Sequence, residues 1–271
     1  LQQQGYLVYG ITEPMGKPQL EMIIATVKPV CVWNFAGFSN TFSPYDNTQE
    51  NIDTNLVLPK NLLEIIYDVD PSIRFFQASS CLIFGRNADG IQNENTSISP
   101  IHPYGIAKLY ADNMVKEFRH VHGLFACSGI FYNHQSPRRG DGFFSKKITS
   151  AAVRIKAGKE HSIKVGNLQS YRDFGYAPDY IEAAYLMMQN NAPKDYVIGT
   201  GELITMMEFT KRCFDYIGLD YINHVAVDAE LYRSNDTNIL KADIRKIKSD
   251  LGWSPSHSID DMVKIMMDYE I

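Results

Sequence analysis

The chain has 271 residues, 45% of them hydrophobic and 21% charged, enough apolar material for one large folded unit with or without a smaller lobe. A formal net charge of -5 gives no general attraction to nucleic acid or anionic membrane, and no apolar run approaches the roughly 18–20 residues of a membrane span. The opening Leu1-Gln2-Gln3-Gln4-Gly5 lacks the basic and apolar regions of a signal peptide, and Cys31, Cys81, Cys127 and Cys213 lack disulfide or metal-ligand spacing. These features lead us to expect a cytoplasmic protein with reduced thiols, no metal, and neither nucleic acid nor membrane as partner.

In chain order, short β-branched and aromatic runs alternate with helical periods. Tyr6–Ile11 reads as a strand, Gln19–Thr26 as a helix, Pro29–Asn34 as a strand and Asn51–Tyr67 as a long helix. Arg74–Ser79 follows as a strand, Tyr104–Val121 as a helix and Ala126–Tyr132 as a strand. After about residue 135, Ser136-Pro137-Arg138-Arg139-Gly140 breaks the pattern and the elements become shorter. The expected fold class is α/β, a Rossmann-type doubly wound parallel sheet with a smaller C-terminal substrate-binding lobe. Residues 1–135 would form the NAD(P)-binding domain. Residues 136–271 would form mainly the substrate-binding lobe, with some segments returning to the sheet. Such a domain should open with a strand and a glycine-rich turn, whose bare backbone approaches a pyrophosphate at a helix N-terminus. No such turn is present, and the chain reads as starting inside the helix that would follow it. Either the protein lacks these parts or segments of a longer sheet are missing from this stretch, and we expect the second because a sheet without its central strand would leave apolar edges open.

Tyr104-Gly105-Ile106-Ala107-Lys108 carries the strongest chemical signal. Residues four apart share one helix face, so the phenol and the ammonium can serve one site. A nearby cation would lower the tyrosine pKa and fit it to exchange a proton with a hydroxyl or carbonyl of a substrate. Alone, this spacing is common on protein surfaces. Upstream, Ser79 and Ser80 end a predicted strand, where parallel α/β sheets bind ligands, and the combination is far more specific than either part. The bland reading has both serines merely capping a turn. His102 reads first as structural, with a role near the pocket mouth as the alternative. Asp112 and Glu117 read as solvated charges, Phe125, Phe131 and Tyr132 as core, and Met187, Met188, Met206 and Met207 as gap-fillers in the smaller lobe.

With these motifs in hand, the chain resembles the GDP-mannose 4,6-dehydratase family of extended short-chain dehydrogenases. The resemblance rests on Gln77-Ala78-Ser79-Ser80-Cys81-Leu82-Ile83-Phe84-Gly85, on Pro103-Tyr104-Gly105-Ile106-Ala107-Lys108-Leu109-Tyr110-Ala111, and on the loop from Phe131-Tyr132-Asn133-His134 to Arg138-Arg139-Gly140. Val165-Gly166-Asn167-Leu168, Arg172-Asp173-Phe174-Gly175 and Leu251-Gly252-Trp253-Ser254-Pro255 extend it. It implies NADP as cofactor, with NAD the alternative, and a GDP-sugar as substrate. Ser80, Tyr104 and Lys108 would be catalytic. Phe35, Ala36, Gly37, Phe38, Ser39, Tyr104, Lys108, His134 and Arg139 would line the cofactor. Ser80, Asn133, Lys147, Arg172, Arg233 and Asp236 would bind the sugar nucleotide, Asp236 standing where the family usually has Glu. Arg and Lys suit a diphosphate by geometry and charge. Without the family, Arg138-Arg139 would read as a solvated turn or subunit contact and Arg172-Asp173 as a local ion pair. A homodimer or homotetramer, through the helices of Tyr104 and Asn51, is also implied.

One departure bears on the reaction. The family's elimination base is a Glu two residues after the strand-end hydroxyl, and here that position is Leu82. Leucine cannot move a proton, and Cys81 would substitute only with a lowered pKa. Three readings stay open: a GDP-sugar 4-ketoreductase, which needs Ser80, Tyr104 and Lys108 alone; a 4,6-dehydratase using another acid or base; and a catalytically weak nucleotide-sugar-binding relative.

Overall fold

The computed structural model describes residues 5–39, 48–87, 90–232 and 239–271. Leu20 and Ile24, one helical turn apart, are the buried stripe of α1 (Lys17–Val27), and β1 (Cys31–Asn34) follows it. The next helical stretch runs through α2 (Thr48–Ile52), a π-helical turn (Asp53–Val57) and α3 (Leu58–Val69). Strand β2 (Arg74–Ser80) ends in a tight 3₁₀ turn (Cys81–Ile83) whose N-cap is Ser80. After the short β3 (Ile91–Gln92) comes α4 (Pro103–His120), opened by a proline in its first turn and by the His102 cap. Strands β4 (Ala126–Phe131) and β5 (Asn133–Gln135) follow. The remainder alternates short elements: α5 (Phe144–Lys156), β6 (Ile163–Val165), β7 (Tyr171–Arg172), β8 (Phe174–Tyr176), α6 (Ala177–Gln189) and β9 (Tyr196–Ile198). It closes with β10 (Ile204–Thr205), α7 (Met206–Tyr216), β11 (Val225–Val227), β12 (Lys241–Ala242), α8 (Arg245–Leu251) and α9 (Ile259–Glu270).

Four strands pair in parallel in the order β1-β2-β4-β9. Side chains alternate across that sheet. Phe75 and Ala126 point to one face and pack with Leu20, Leu63, Ile66 and Val115 of α1, α3 and α4. Phe76 and Cys127 point to the other and pack with Tyr180, Met187 and Met188 of α6 and with Trp253. Helices therefore cover both faces, as a Rossmann-type parallel sheet requires. Each buried Phe contributes about 1.5–3 kcal/mol to this arrangement. A separate apolar cluster joins α5, α7 and α9 through Ile148, Phe209, Phe214 and Met266.

Two expectations are corrected. Tyr6–Ile11 is not a strand: Leu7 is 80% exposed and Tyr9 61%, and among the described residues no strand stands beside the segment to complete its ladder. Met187 and Met188 pack on the sheet, and only Met206 and Met207 border the second cluster.

Two local devices position loops in this region, one at the end of β2 and one after β9. Gly105 lets α4 approach the turn closely, since a Cβ there would stand 2.6 Å from the Leu82 carbonyl oxygen. The buried Asp173 carboxylate accepts from the backbone N–H of Thr200 (2.7 Å), Gly201 (2.8 Å) and Ala242 (3.1 Å), tying three chain segments together. The expected Arg172–Asp173 ion pair gives way to these donors. Asp173→Ala, which orphans all three, is expected to lower the unfolding free energy by about 3 kcal/mol or more, read by urea denaturation. Gly105→Ala is expected to cost about 1–3 kcal/mol by overpacking, seen as a lower Tm.

Candidate active site

Because the sheet is parallel, the loops after β1, β2, β4 and β9 leave from one edge, the usual ligand-binding edge of such sheets. Residues 35–39 follow β1, residues 81–83 follow β2 and residues 132–140 span the region after β4. Helix α4 lies over β2 and β4, and its first two turns bring Tyr104 and Lys108 to this edge.

The Ser80 hydroxyl lies beside the Tyr104 phenol, where it favours the ionised form, and it accepts from the Leu82 backbone N–H at 3.3 Å, so it both caps the turn and faces the phenol. Lys108, only 3% exposed, donates through Nζ to the Ala78 carbonyl at 3.0 Å and lies 5.6 Å from the Tyr104 ring centre. Burial pushes the Tyr104 phenol up to about 12, with the Ser80 hydroxyl and the Arg139 charge pulling it back. The expectation of a lowered tyrosine pKa is thereby corrected, because desolvation outweighs the neighbouring donors and charges. Burial likewise takes Lys108 down to about 8, opposed by Asp112.

A residue not singled out from the sequence joins this group. Asn55 sits on the π-helical turn, is 1% exposed, and donates to Phe38 O at 3.0 Å and Asn51 Oδ1 at 3.1 Å. Its own Oδ1 has no hydrogen-bond partner. A Cβ on Gly37 would lie 3.1 Å from Lys108 Nζ and 3.4 Å from Asn55 Oδ1, so bare backbone borders both polar groups. The π turn is the signal that marks Asn55, and it exists only in the folded chain. Around it, Phe35 is 43% exposed and stacks on Trp33 at 6.1 Å, and Ala36 N donates to Asn34 Oδ1 at 3.2 Å. Ser39 ends this described segment and is half-buried.

Other expected residues distribute as follows. His134 packs between Phe131 and Tyr180, shares a 2.9 Å contact with the Tyr132 carbonyl, and is driven down to about 4 by burial, so it is neutral. Arg139 stacks on Phe143 at 3.6 Å with a buried, unpartnered Nε, and its charge acts on Tyr104. It is half-buried, unlike the exposed Arg138, so the solvated-turn reading fits Arg138 alone. Asn133 carries a buried Oδ1 without a partner. Arg172 acts electrostatically on Cys81 and donates to the Tyr171 carbonyl at 2.7 Å. Lys147 is exposed and donates to the Lys164 carbonyl at 2.6 Å, and no contact in the structure joins it to Ser80 or Tyr104. Arg233 and Asp236 lie outside the described residues. His102 caps α4, its Nδ1 accepting from Tyr104 N at 3.2 Å.

Leu82 packs against the sheet core with its side chain among apolar neighbours. The Cys81 thiol beside it is pushed up to about 12 by burial, which corrects any expectation of an activated thiol. Asp112 is 3% exposed and accepts from Ser79 Oγ at 2.5 Å, overturning its reading as a solvated charge, whereas Glu117 is exposed as expected. Among the described residues no cluster of metal-binding side chains occurs, and no helix is long and apolar enough to cross a membrane.

Comparison with known proteins agrees with this architecture. The chain superposes on RMD from Pseudomonas aeruginosa, solved in complex with NADPH, with a TM-score of 0.81 at 19% identity, covering 89% of this chain and 81% of that one. It superposes on the UDP-glucose 4-epimerase of Thermotoga maritima, solved with UDP-glucose, with a TM-score of 0.84 at 24% identity, covering 93% and 81%. In sequence it is 37% identical over 249 residues to GDP-mannose 4,6 dehydratase 1 of Arabidopsis thaliana, spanning 90% of this chain and 69% of the relative. It is 35% identical over 271 residues to GDP-mannose 4,6 dehydratase of Homo sapiens, spanning 93% and 73%. The family model for GDP-mannose 4,6 dehydratase matches residues 14–266, nearly the whole chain, which therefore belongs to the GDP-mannose 4,6-dehydratase family of enzymes.

Proposed function

We propose that this chain is an NADP(H)-dependent GDP-sugar enzyme whose step is the reduction of a 4-keto sugar. The observation that carries the reading is the end of β2, where Ser80, Tyr104 and Lys108 stand together while Leu82 holds the position of the family's elimination base. Gly37, Lys108 Nζ and the unpartnered Asn55 Oδ1 fit the hydroxyl-bearing nicotinamide ribose, and Phe35, Ala36, Phe38 and Ser39 would flank it. His134 and Arg139 would meet the same cofactor. Asn133, Lys147, Arg172, Arg233 and Asp236 would hold the sugar nucleotide, the cations facing its diphosphate.

The dinucleotide would supply a hydride to the sugar carbonyl carbon. The chain's own part is proton handling. Ser80 donates a hydrogen bond to the ketone oxygen, and Tyr104 gives that oxygen a proton as the C=O bond becomes C–OH. A phenol held at about 12 rests protonated at neutral pH, the form a reduction needs. Lys108 stabilises the phenolate left behind until solvent restores its proton. Dehydration would need a second base for the C5 proton. Leu82 offers none, the Cys81 thiol is held neutral, and the Asp112 carboxyl is turned to Ser79.

Exposed Ile52, Val57 and Ile106 on the helices beside the site support a homodimer or homotetramer, and the free thiols suit a reducing cytoplasm. Mass spectrometry and NADPH absorbance with purified protein test the reaction. We expect NADPH consumption with GDP-4-keto-6-deoxymannose and no loss of water from GDP-mannose, whereas dehydration of GDP-mannose would overturn the role given to Leu82. Tyr104→Phe is expected to slow reduction by about 100- to 10,000-fold in kcat. Leu82→Glu is expected to bring measurable water loss from GDP-mannose, read as a mass change with no net NADPH consumption.

A further inference from the structure

Tyr104, Lys108 and Asp112 follow one another at intervals of four along α4, and Lys116 and His120 continue the series. The first three run into the interior and the last two reach the surface at a cavity of about 310 Å³ on the far side of the site. Asp112 and Ser128 line its inner wall, with Lys116, His120, Lys194 and Lys246 around them. A carboxyl at a position 3% exposed is unusual enough to need a reason.

Its surroundings supply one. Ser79 of β2 donates to Asp112 Oδ2 at 2.5 Å, while Oδ1 is buried with no hydrogen-bond partner. Ser128 of β4 lies beside the carboxyl, and its Oγ also lacks a partner of good geometry. The charges that bear on Asp112 are Lys108, Lys116 and Arg119 of its own helix and Asp195 before β9. On Lys108, by contrast, the neighbouring charge is Asp112.

We propose that Asp112 is a positioning residue for the Tyr104–Lys108 pair, its buried carboxylate holding Lys108 charged from one helical turn below. The inference rests on the reading of Tyr104 and Lys108 as the proton-transfer pair. Supporting it, burial takes Asp112 up to about 6 and Lys108 down to about 8, so both are charged only between those values. Removing the carboxylate leaves the desolvation of Lys108 unopposed, and its ammonium is then lost at a lower pH.

The test is a titration of Lys108 by NMR of ¹³C-labelled lysine side chains, with Lys108→Met assigning the resonance, beside the pH profile of NADPH oxidation. Asp112→Asn is expected to lower the Lys108 pKa by about one unit or more and to move the alkaline limb of kcat down with it. A loss of about fivefold in kcat at pH 8 with little change in KM should accompany a one-unit drop. An unchanged Lys108 titration in folded Asp112→Asn protein overturns the proposal. Ser79→Ala keeps the carboxylate but removes its donor, so the acid limb should rise while the alkaline limb stays. Should Asp112→Asn not fold, an acid limb unmoved in Ser79→Ala overturns the proposal instead. The NMR titration needs no turnover. A protein inactive with every keto sugar would therefore defeat the functional reading and still decide the role of Asp112.

Discussion

The contact on which the site depends is the docking of α4 against the end of β2. Gly105 brings the helix onto the Leu82 carbonyl, and Lys108 then places its ammonium on the Ala78 carbonyl inside the protein. A buried ammonium without partners would cost several kcal/mol or lose its proton. Anchored to strand backbone and opposed by Asp112, it becomes a fixed point from which the Tyr104 phenol is aimed at Ser80. The strand is in turn fixed by parallel pairing on both sides, to β1 and to β4, so the helix has a rigid surface to dock on.

Burial is also the common cause of the site's electrostatics. It raises the Tyr104 phenol and the Cys81 thiol and lowers Lys108 and His134, each toward its neutral form. What resists this drift is specific to each group: at Tyr104 the Ser80 hydroxyl and the Arg139 guanidinium, and at Lys108 the Asp112 carboxylate. A site so arranged starts with its phenol protonated and its histidine neutral. Under the proposed reduction the first proton to move is therefore already in place.

Most of the sheet was legible because its strands and helices carry their own periodicity. Arg74–Ser79 and Ala126–Tyr132 read as strands from short β-branched and aromatic runs between helical periods, and the helix from Tyr104 differs from the observed one by a residue at each end. What was not legible depends on neighbours. Tyr6–Ile11 has the composition of a strand, but a strand needs a paired edge and composition does not supply one. Asn55 became visible only through a π turn that packing imposes on an otherwise regular helix. Asp112 stands four residues after Lys108, the same interval that drew attention to Tyr104 and Lys108. Its charge argued for solvent, and only the fold shows Ser79 waiting to receive it. The direction of the Tyr104 shift was missed for a similar reason: a neighbouring cation can be read from spacing, whereas desolvation cannot.

Under the proposed reading, position 82 is where one reaction step would be lost while the fold is kept. Its backbone serves the scaffold, with the N–H donating to Ser80 Oγ and the carbonyl oxygen facing Gly105. Neither contact depends on the side chain. The leucine side chain instead packs against the sheet core, where an unpaired carboxylate would be costly. On the proposed reading, a base at this position would have to turn away from that core toward the substrate, so a leucine there would remove proton transfer and add apolar burial. Ser80, Tyr104 and Lys108 keep their contacts through groups that residue 82 does not touch, apart from the Ser80 cap on its amide. Under the proposed reading, hydride chemistry and elimination would be separable in this site, the first carried by groups anchored on the backbone of the turn and the second by the side chain at position 82 alone.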